Sequence, residues 1–215
     1  MKPRIDARRL TVLSMLSAVA YVSVFVFSPI KVQFLSFEIK NAVLAIGGFL
    51  YGPASALLSV MAVAFLEFVT FSETGVWGLL MNVLSSAFFL LPAAYIYKKN
   101  RSLKGAVVGL TVGVVCTVAA MVLWNWLVTP FYMHVPREVV EGMLIPLFLP
   151  FNALKAAANA ALSLLLYKTV VSVLRKARLV PQTDHEEKKH VWFFLAALLV
   201  LVTLVLVLLV WSGII

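Results

Sequence analysis

Seven runs of apolar residues, each bounded by charged or turn-forming residues, occupy most of this sequence. They cover 10–28, 40–51, 54–70, 76–97, 104–129, 143–174 and 191–213. A helix that spans the hydrocarbon core of a bilayer needs about 20 apolar residues, and most of these runs approach or exceed that length. A hydrophobic fraction of 63% and a mean hydropathy of +1.03 both lie well above the soluble range. The sequence therefore predicts an all-α integral membrane protein.

The spans leave little of the 215 residues for anything else. No G-x-x-x-x-G-K-[ST] run is present, so a partner or an ion gradient must supply energy for any uphill transport. Cys116 stands alone inside an apolar run, where packing is the simplest role, and His134 has no second metal-ligating residue nearby. We therefore expect no metal site and no disulfide.

The basic residues predict the orientation. Fourteen of the 18 precede the first span, lie between the fourth and fifth spans, or lie at the end of the sixth span and in the segment after it. These positions share one side of the membrane, and the positive-inside rule makes that side cytoplasmic. The N-terminus is then cytoplasmic, Ile215 is outside, and residues 10–28 are a retained span rather than a signal peptide. The net charge of +9 follows from this topology and does not indicate nucleic acid.

The sixth span carries the most unusual polar residues. Its regular helix is predicted to begin near Phe151, and Asn152, Lys155 and Asn159 then fall at i, i+3 and i+7 on one stripe. Polar groups are expensive in the hydrocarbon region and usually face a cavity or a partner. The stripe indicates a solute site near the outer end of the span. The alternative is structural: amides that cross-link helices and a lysine that snorkels to the interface.

Three further features leave alternatives open. Trp124-Asn125-Trp126 is either an aromatic belt or an amide beside rings that stack on a planar heterocycle. The alternating residues 30–41 fit an extended lid and a solvated loop equally well. Glu67 is either paired with Lys31 or Lys40, which we favour, or a proton or cation site.

Small residues recur at four-residue spacing in two spans. The fifth span has Gly105, Gly109 and Gly113, and the first has Ser14 and Ala18. Such patterns bring helix backbones close together. Their partner lies either within this chain or on another subunit.

Three stretches resemble a known family. They are Ile46-Gly47-Gly48-Phe49-Leu50-Tyr51-Gly52-Pro53, Trp124-Asn125-Trp126 with Pro130-Phe131-Tyr132, and Pro150-Phe151-Asn152-Ala153-Leu154-Lys155 through Leu166-Tyr167-Lys168. Over about residues 8–178 the chain resembles the substrate-binding S component of energy-coupling factor (ECF) vitamin transporters, and most closely the riboflavin-specific branch.

The resemblance implies a six-helix S-component bundle over residues 1–178. Residues 179–190 would be a polar cytoplasmic linker, and residues 191–213 an additional transmembrane helix outside the family pattern. Such a protein captures its vitamin at the outer face of the cell membrane and then associates with a transmembrane coupling subunit and two ATPase subunits. It is not an enzyme, and riboflavin would be its transported ligand rather than a cofactor.

The resemblance also implies the site. Asn125, Asn152 and Lys155 would hydrogen-bond the polar edge of the isoalloxazine, and Asn159 joins them from helical spacing alone. The loop before the second helix would hold the ribityl chain and act as a gate; it comprises Phe37, Glu38, Ile39, Lys40 and Asn41. Trp77 and Trp124 complete the expected substrate contacts.

Three departures from the family pattern accompany the resemblance. The loop has Asn41 where a second acid is frequent, the third span has Val63-Ala64 in place of a Lys-Asp pair, and the first has Ser14 with Ala18 in place of two alanines. The alternatives are another vitamin or a modified nucleobase as ligand, an ion-coupled transporter that uses Glu67, and, least favoured, a small intramembrane enzyme.

Overall fold

The computed structural model describes residues 6–70, 72, 74–179, 197–198, 200–205, 207 and 211. The helices are α1 (Ala7–Phe27), α2 (Lys40–Tyr51), α3 (Pro53–Thr70), α4 (Gly75–Lys99), α5 (Leu103–Met133), α6 (Arg137–Met143) and α7 (Leu149–Lys176). A short hairpin of β1 (Lys31–Val32) and β2 (Leu35–Ser36) lies between α1 and α2. The predicted linker 179–190 falls outside the described residues except for Leu179.

Five helical stretches among the described residues are long and apolar enough to cross a membrane. They are Ala7–Phe27, Pro53–Thr70, Gly75–Lys99, Leu103–Met133 and Arg137–Lys176. With the predominantly helical structure, they confirm the prediction of an all-α membrane protein. The 12-residue α2 is too short for this role.

The segment between α1 and α2 contains a short extended hairpin, which is one of the two alternatives that the alternation of its residues left open. Lys31 pairs with Ser36 and Val32 with Leu35 in an antiparallel ladder, and Gln33 in the turn has a left-handed φ of 56°. Val32 and Phe37 are buried while Lys31 is exposed. One face of the hairpin therefore packs against the bundle.

The helix α2 lies at the centre of the bundle. Ten of its 12 residues are buried, and it contacts α1, α3, α4 and α7. It ends at Gly52, whose φ of 89° favours glycine, and Pro53 then starts α3 at once. Gly52 is therefore the only residue between the two helices.

Helices α4 and α5 pack closely through the glycine stripe of α5. A Cβ placed on Gly109 would lie 2.8 Å from the carbonyl oxygen of Ala93, and one on Gly113 would collide with the carbonyl oxygen of Phe89. The partner of this stripe is therefore within the chain. Ser14 and Ala18 on α1, by contrast, are exposed.

The helical structure before α7 is more extensive than the sequence predicts. α7 begins at Leu149, close to the expected start at Phe151, but α6 and a π-helical turn at Leu144–Phe148 precede it. In that turn the amide of Leu149 donates to the carbonyl of Leu144 five residues back. The wide turn accommodates Pro146, which has no amide hydrogen to donate, without ending the helical path.

Two clusters of buried apolar residues stabilise the bundle. The larger joins α1, α2, α3, α4, α5 and α7. The smaller lies beneath the hairpin and consists of Val32, Phe37, Leu147, Phe151, Leu154 and Ala158. Leu201, Leu204 and Trp211, which are helical, pack against the smaller cluster. The rest of the predicted seventh span, 191–213, lies largely outside the described residues.

Candidate substrate-binding site

The loop residue Glu38 lies at the centre of a buried ionic cluster. It follows β2 and directs one carboxylate oxygen to each of two lysines. The distance from Lys155 Nζ to Glu38 Oε1 is 2.5 Å, and that from Lys40 Nζ to Glu38 Oε2 is 2.9 Å. Glu38 therefore connects the hairpin loop to the first turn of α2 and to the N-terminal half of α7.

The cluster continues inward to α3 and α4. Lys40 Nζ lies 2.8 Å and 2.6 Å from the two carboxylate oxygens of Glu67, and Asn82 Nδ2 donates to Glu67 Oε2 at 2.8 Å. The predicted pairing of Glu67 with a lysine is confirmed, with Lys40 as the partner. Asn82 is not among the predicted site residues, although it is an amide inside the apolar run 76–97, as Asn125 is inside the run 104–129.

Burial makes this cluster energetically demanding. Lys40 and Glu67 are each 2% exposed, and Glu38 is 8% exposed. Taking a charge out of water costs several kcal/mol, so each member depends on its partners. Burial raises the pKa of the Glu38 carboxyl, but the ammonium groups of Lys155 and Lys40 more than offset this effect and lower the pKa to about 2.

Asn159 fastens the loop to α7. Its Oδ1 accepts from the backbone amide of Ala42 at 2.9 Å, and its Nδ2 donates to the carbonyls of Glu38 and Lys155, each at 2.9 Å. Asn159 is 1% exposed. Since the chain itself uses these groups of the amide, the structure gives Asn159 a positioning function at the site.

Asn152 and Lys155 retain hydrogen-bonding capacity at the N-terminal end of α7. Asn152 donates one amide hydrogen to the carbonyl of Phe148 at 2.7 Å, and no described residue donates to its Oδ1. The side chain of Lys155 is 14% exposed, and its ammonium has three hydrogens, of which Glu38 takes one. Both residues are half-buried and share the predicted face of the helix.

Asn41 contributes a buried acceptor without a partner. It lies in the first turn of α2, is 6% exposed, and its Oδ1 has no hydrogen bond within the described part of the chain. A buried polar atom left unpaired costs about 1–3 kcal/mol. A hydroxyl or N–H donor from a ligand would recover that energy. Its neighbours Phe37 and Ile39 supply apolar surface in the smaller cluster.

Asn125 is buried in α5, but Trp124 faces elsewhere. Asn125 Nδ2 donates to the carbonyl of Met121 at 2.7 Å, and Thr129 Oγ1 donates to Asn125 Oδ1 at 2.9 Å. Because successive helical residues are about 100° apart, Trp124 points into a groove between α4 and α5. Trp126 instead donates to Glu141 at 2.9 Å and stacks with Arg137.

The groove that Trp124 lines is apolar and has a volume of about 610 Å³. Its other walls are Leu84, Phe88, Cys116, Ala119, Ala120, Leu123, Leu127 and Val128. None of the polar residues of the ionic cluster or of the α7 stripe lines it. Trp77, at the start of α4, is 45% exposed. The structure thus brings Lys155, Asn159 and the loop together, whereas Trp124 lines a groove that none of these residues lines.

The fold and this ionic cluster define the class of the protein: a multi-pass helical membrane protein whose buried charges connect the hairpin loop to four helices. Among the described residues, no group of three or more His, Cys, Asp or Glu side chains is arranged to hold a metal ion. The family model of the substrate-specific component of ECF transporters matches residues 8–167. The chain belongs to this family.

Individual relatives agree with this assignment. The chain is 27% identical over 177 residues to the riboflavin transporter RibU of Staphylococcus aureus (strain TCH60), covering 79% of this chain and 93% of that protein. It is 26% identical over 195 residues to the riboflavin transporter FmnP of Bacillus subtilis (strain 168), covering 86% and 98%.

A solved structure has the same fold. It is described as the S component of a bacterial ECF transporter and superposes with a TM-score of 0.65 at 28% identity. The match covers 78% of this chain and 97% of the other. The family model ends at residue 167, before the predicted seventh span.

Proposed function

We propose that this chain is the substrate-capture subunit of an ECF-type importer and that it binds riboflavin at the extracellular side of the cell membrane. The relatives described above are named riboflavin transporters and align over nearly their full length. The observation that carries the proposal is the outer end of α7, where Asn152 and Lys155 keep unused hydrogen-bonding groups beside a buried polar centre.

Each polar residue has a role that follows from its chemistry. Asn152 offers an acceptor and Lys155 a donor to the polar edge of the isoalloxazine, and Asn125 is the proposed third contact. The unpaired Oδ1 of Asn41 would accept from a ribityl hydroxyl. Phe37 and Ile39 would cover the ligand as part of the gate. Trp77 and Trp124 remain predictions of the sequence.

Transport would require other subunits. We propose a transmembrane coupling subunit and two ATPases, because members of this family are the substrate-specific components of such assemblies. The chain itself contains no P-loop motif. The N-terminus would be cytoplasmic, as the distribution of basic residues predicts.

A binding experiment tests the proposal. The full chain, purified in detergent, is titrated into riboflavin while flavin fluorescence is recorded, and any copurified small molecule is identified by mass spectrometry. We expect quenching that saturates at nanomolar to low-micromolar concentrations. If the chain does not bind riboflavin but binds another vitamin or a modified nucleobase, the flavin assignment is wrong.

A second measurement separates this function from an ion-coupled transporter. Vesicles that contain only this chain are loaded with an ion gradient and supplied with labelled riboflavin. We expect binding without accumulation. Gradient-driven accumulation in the absence of ATPase subunits would assign transport to this chain alone.

A further inference from the structure

Hydrogen bonding to a flavin does not explain why a charged residue, Glu67, is buried in this protein. It lies in α3, is 2% exposed, and contacts Lys40 and Asn82 within the protein. A buried ion pair is often no more stabilising than apolar residues of the same volume. Its presence beside a proposed ligand site therefore calls for a functional explanation.

Charge balance supplies that explanation. The ionic cluster contains two carboxylates, Glu38 and Glu67, and two ammonium groups, Lys40 and Lys155, so its net charge is zero. The other charged residues near this end that the structure describes are exposed, and water and salt screen them. These residues are Lys31, Arg137, Glu138 and Glu141. The buried site is therefore electrically neutral although it contains two lysines.

We propose that Glu67 is a specificity-determining residue that keeps the site neutral and thereby favours unphosphorylated riboflavin over its anionic phosphate ester. This inference rests on the proposed function. A phosphate monoester carries a charge of about −1.5 to −2 at pH 7. A neutral site offers such a charge no compensation for the water it loses on entry.

Removing the Glu67 charge should reverse this preference. In Glu67→Gln, Lys40 keeps only the carboxylate of Glu38, which it already shares with Lys155, so the cluster becomes net positive. At the low effective dielectric of a buried site, one uncompensated charge about 10 Å away changes anion affinity by about tenfold or more. Neutral riboflavin gains nothing from that charge.

The test compares three ligands on four forms of the full chain. The ligands are riboflavin, riboflavin 5′-phosphate and riboflavin 5′-acetate, a neutral ester that controls for bulk. The forms are wild type, Glu67→Gln, the double variant Lys40→Met/Glu67→Gln, and Asn82→Ala, which removes a hydrogen bond to Glu67 without changing charge. Affinities come from fluorescence titration of monodisperse protein.

We expect the wild-type chain to bind the phosphate ester at least about tenfold more weakly than the acetate ester. In Glu67→Gln the ratio of acetate-ester affinity to phosphate-ester affinity should fall by about tenfold. In Lys40→Met/Glu67→Gln this ratio should return to the wild-type value, and in Asn82→Ala it should stay within about threefold of the wild-type value. If Glu67 had only a structural role, removing the charge of Lys40 as well would not restore the wild-type ratio of affinities.

Two results would overturn the inference. One is equal affinity of the wild-type chain for the phosphate and acetate esters. This measurement does not depend on whether any variant folds. The other is a Glu67→Gln variant in which all three ligands weaken equally. A wild-type chain that binds none of the flavins would instead contradict the proposed function, and the inference with it.

Discussion

The side chain of Lys155 both stabilises the fold and is proposed to bind the ligand. Its ammonium pairs with Glu38 and so holds the loop against α7, while its remaining hydrogens are available to a substrate. Asn159, one helical turn further along, has its side-chain oxygen and amino group bonded to the chain. The two residues share a helical face, but only Lys155 keeps side-chain hydrogens that its protein neighbours do not use.

Asn152→Ala and Lys155→Ala should each weaken riboflavin binding. A lost hydrogen bond in a desolvated pocket costs about 1–3 kcal/mol, which corresponds to about 5–150-fold in affinity. Matched controls are Asn100→Ala and Lys104→Met, which alter exposed residues near the opposite ends of α4 and α5 and should change affinity by less than about twofold. Fluorescence titration gives both values. Unchanged affinity in both α7 variants would remove the site assignment.

Glu38 predicts the pH dependence. Its pKa in the folded chain is lowered from 4.5 to about 2, so its contribution to stability is complete above pH 4.5 and is lost as the pH falls toward 2. We therefore expect riboflavin affinity and the thermal midpoint to stay level from about pH 5.5 to 8. A titration step centred near pH 6 that disappears in Glu38→Gln would show that this carboxyl is not held ionised.

At the scale of elements, the α4–α5 contact depends on the absence of side chains at two positions. The glycines at 109 and 113 allow α5 to approach the backbone carbonyls of α4 more closely than any residue with a Cβ permits. This contact positions Asn125 on α5 and Asn82 on α4. The sequence left open whether the partner of this stripe lies within the chain or on another subunit, and the structure places it on α4.

Gly113→Ala should therefore destabilise the protein. The added methyl would collide with the carbonyl oxygen of Phe89, and overpacking of this kind costs about 1–3 kcal/mol. Gly142→Ala in α6 is the control, since a Cβ there has no neighbour within 4 Å. We expect a lower thermal midpoint for the first variant and an equal or slightly higher one for the second. Equal midpoints would show that α5 shifts without cost.

At the scale of the whole molecule, the described residues of the C-terminal segment pack against the end of the bundle that carries the hairpin. The family model stops at residue 167, yet Trp211 packs edge-on against Phe151 with ring centroids 6.5 Å apart. Leu201 and Leu204 pack against the same cluster, which also contains Val32 and Phe37 of the loop region. A segment outside the family pattern thus supports the residues that position the loop.

Trp211→Ala should lower stability more than Val207→Ala. Trp211 contacts Phe151, an aromatic pair worth about 0.5–1.5 kcal/mol beyond its buried area, whereas Val207 is 50% exposed. We expect a fall of several degrees in the thermal midpoint for the tryptophan variant and almost none for the valine variant. Equal midpoints would mean that this contact contributes nothing to the bundle.

The sequence alone determined the membrane class, the limits of most helices, the polar stripe of α7 and the pairing of Glu67. Each follows from local information: runs of apolar residues set helix length, and an isolated charge in an apolar run requires a partner. The family resemblance, which residues 8–167 confirm, also came from short motifs.

Only the tertiary structure decided which polar groups are already paired. Spacing places Asn152 and Asn159 on one face, but whether an amide is free depends on atoms distant in the chain, such as the Ala42 amide and the Glu38 carbonyl. The same holds for Trp124, whose neighbour across the groove, Phe88, lies on another helix. Hydrogen bonds and burial depend on contacts between residues that are distant in the sequence, and the tertiary fold determines which residues are in contact.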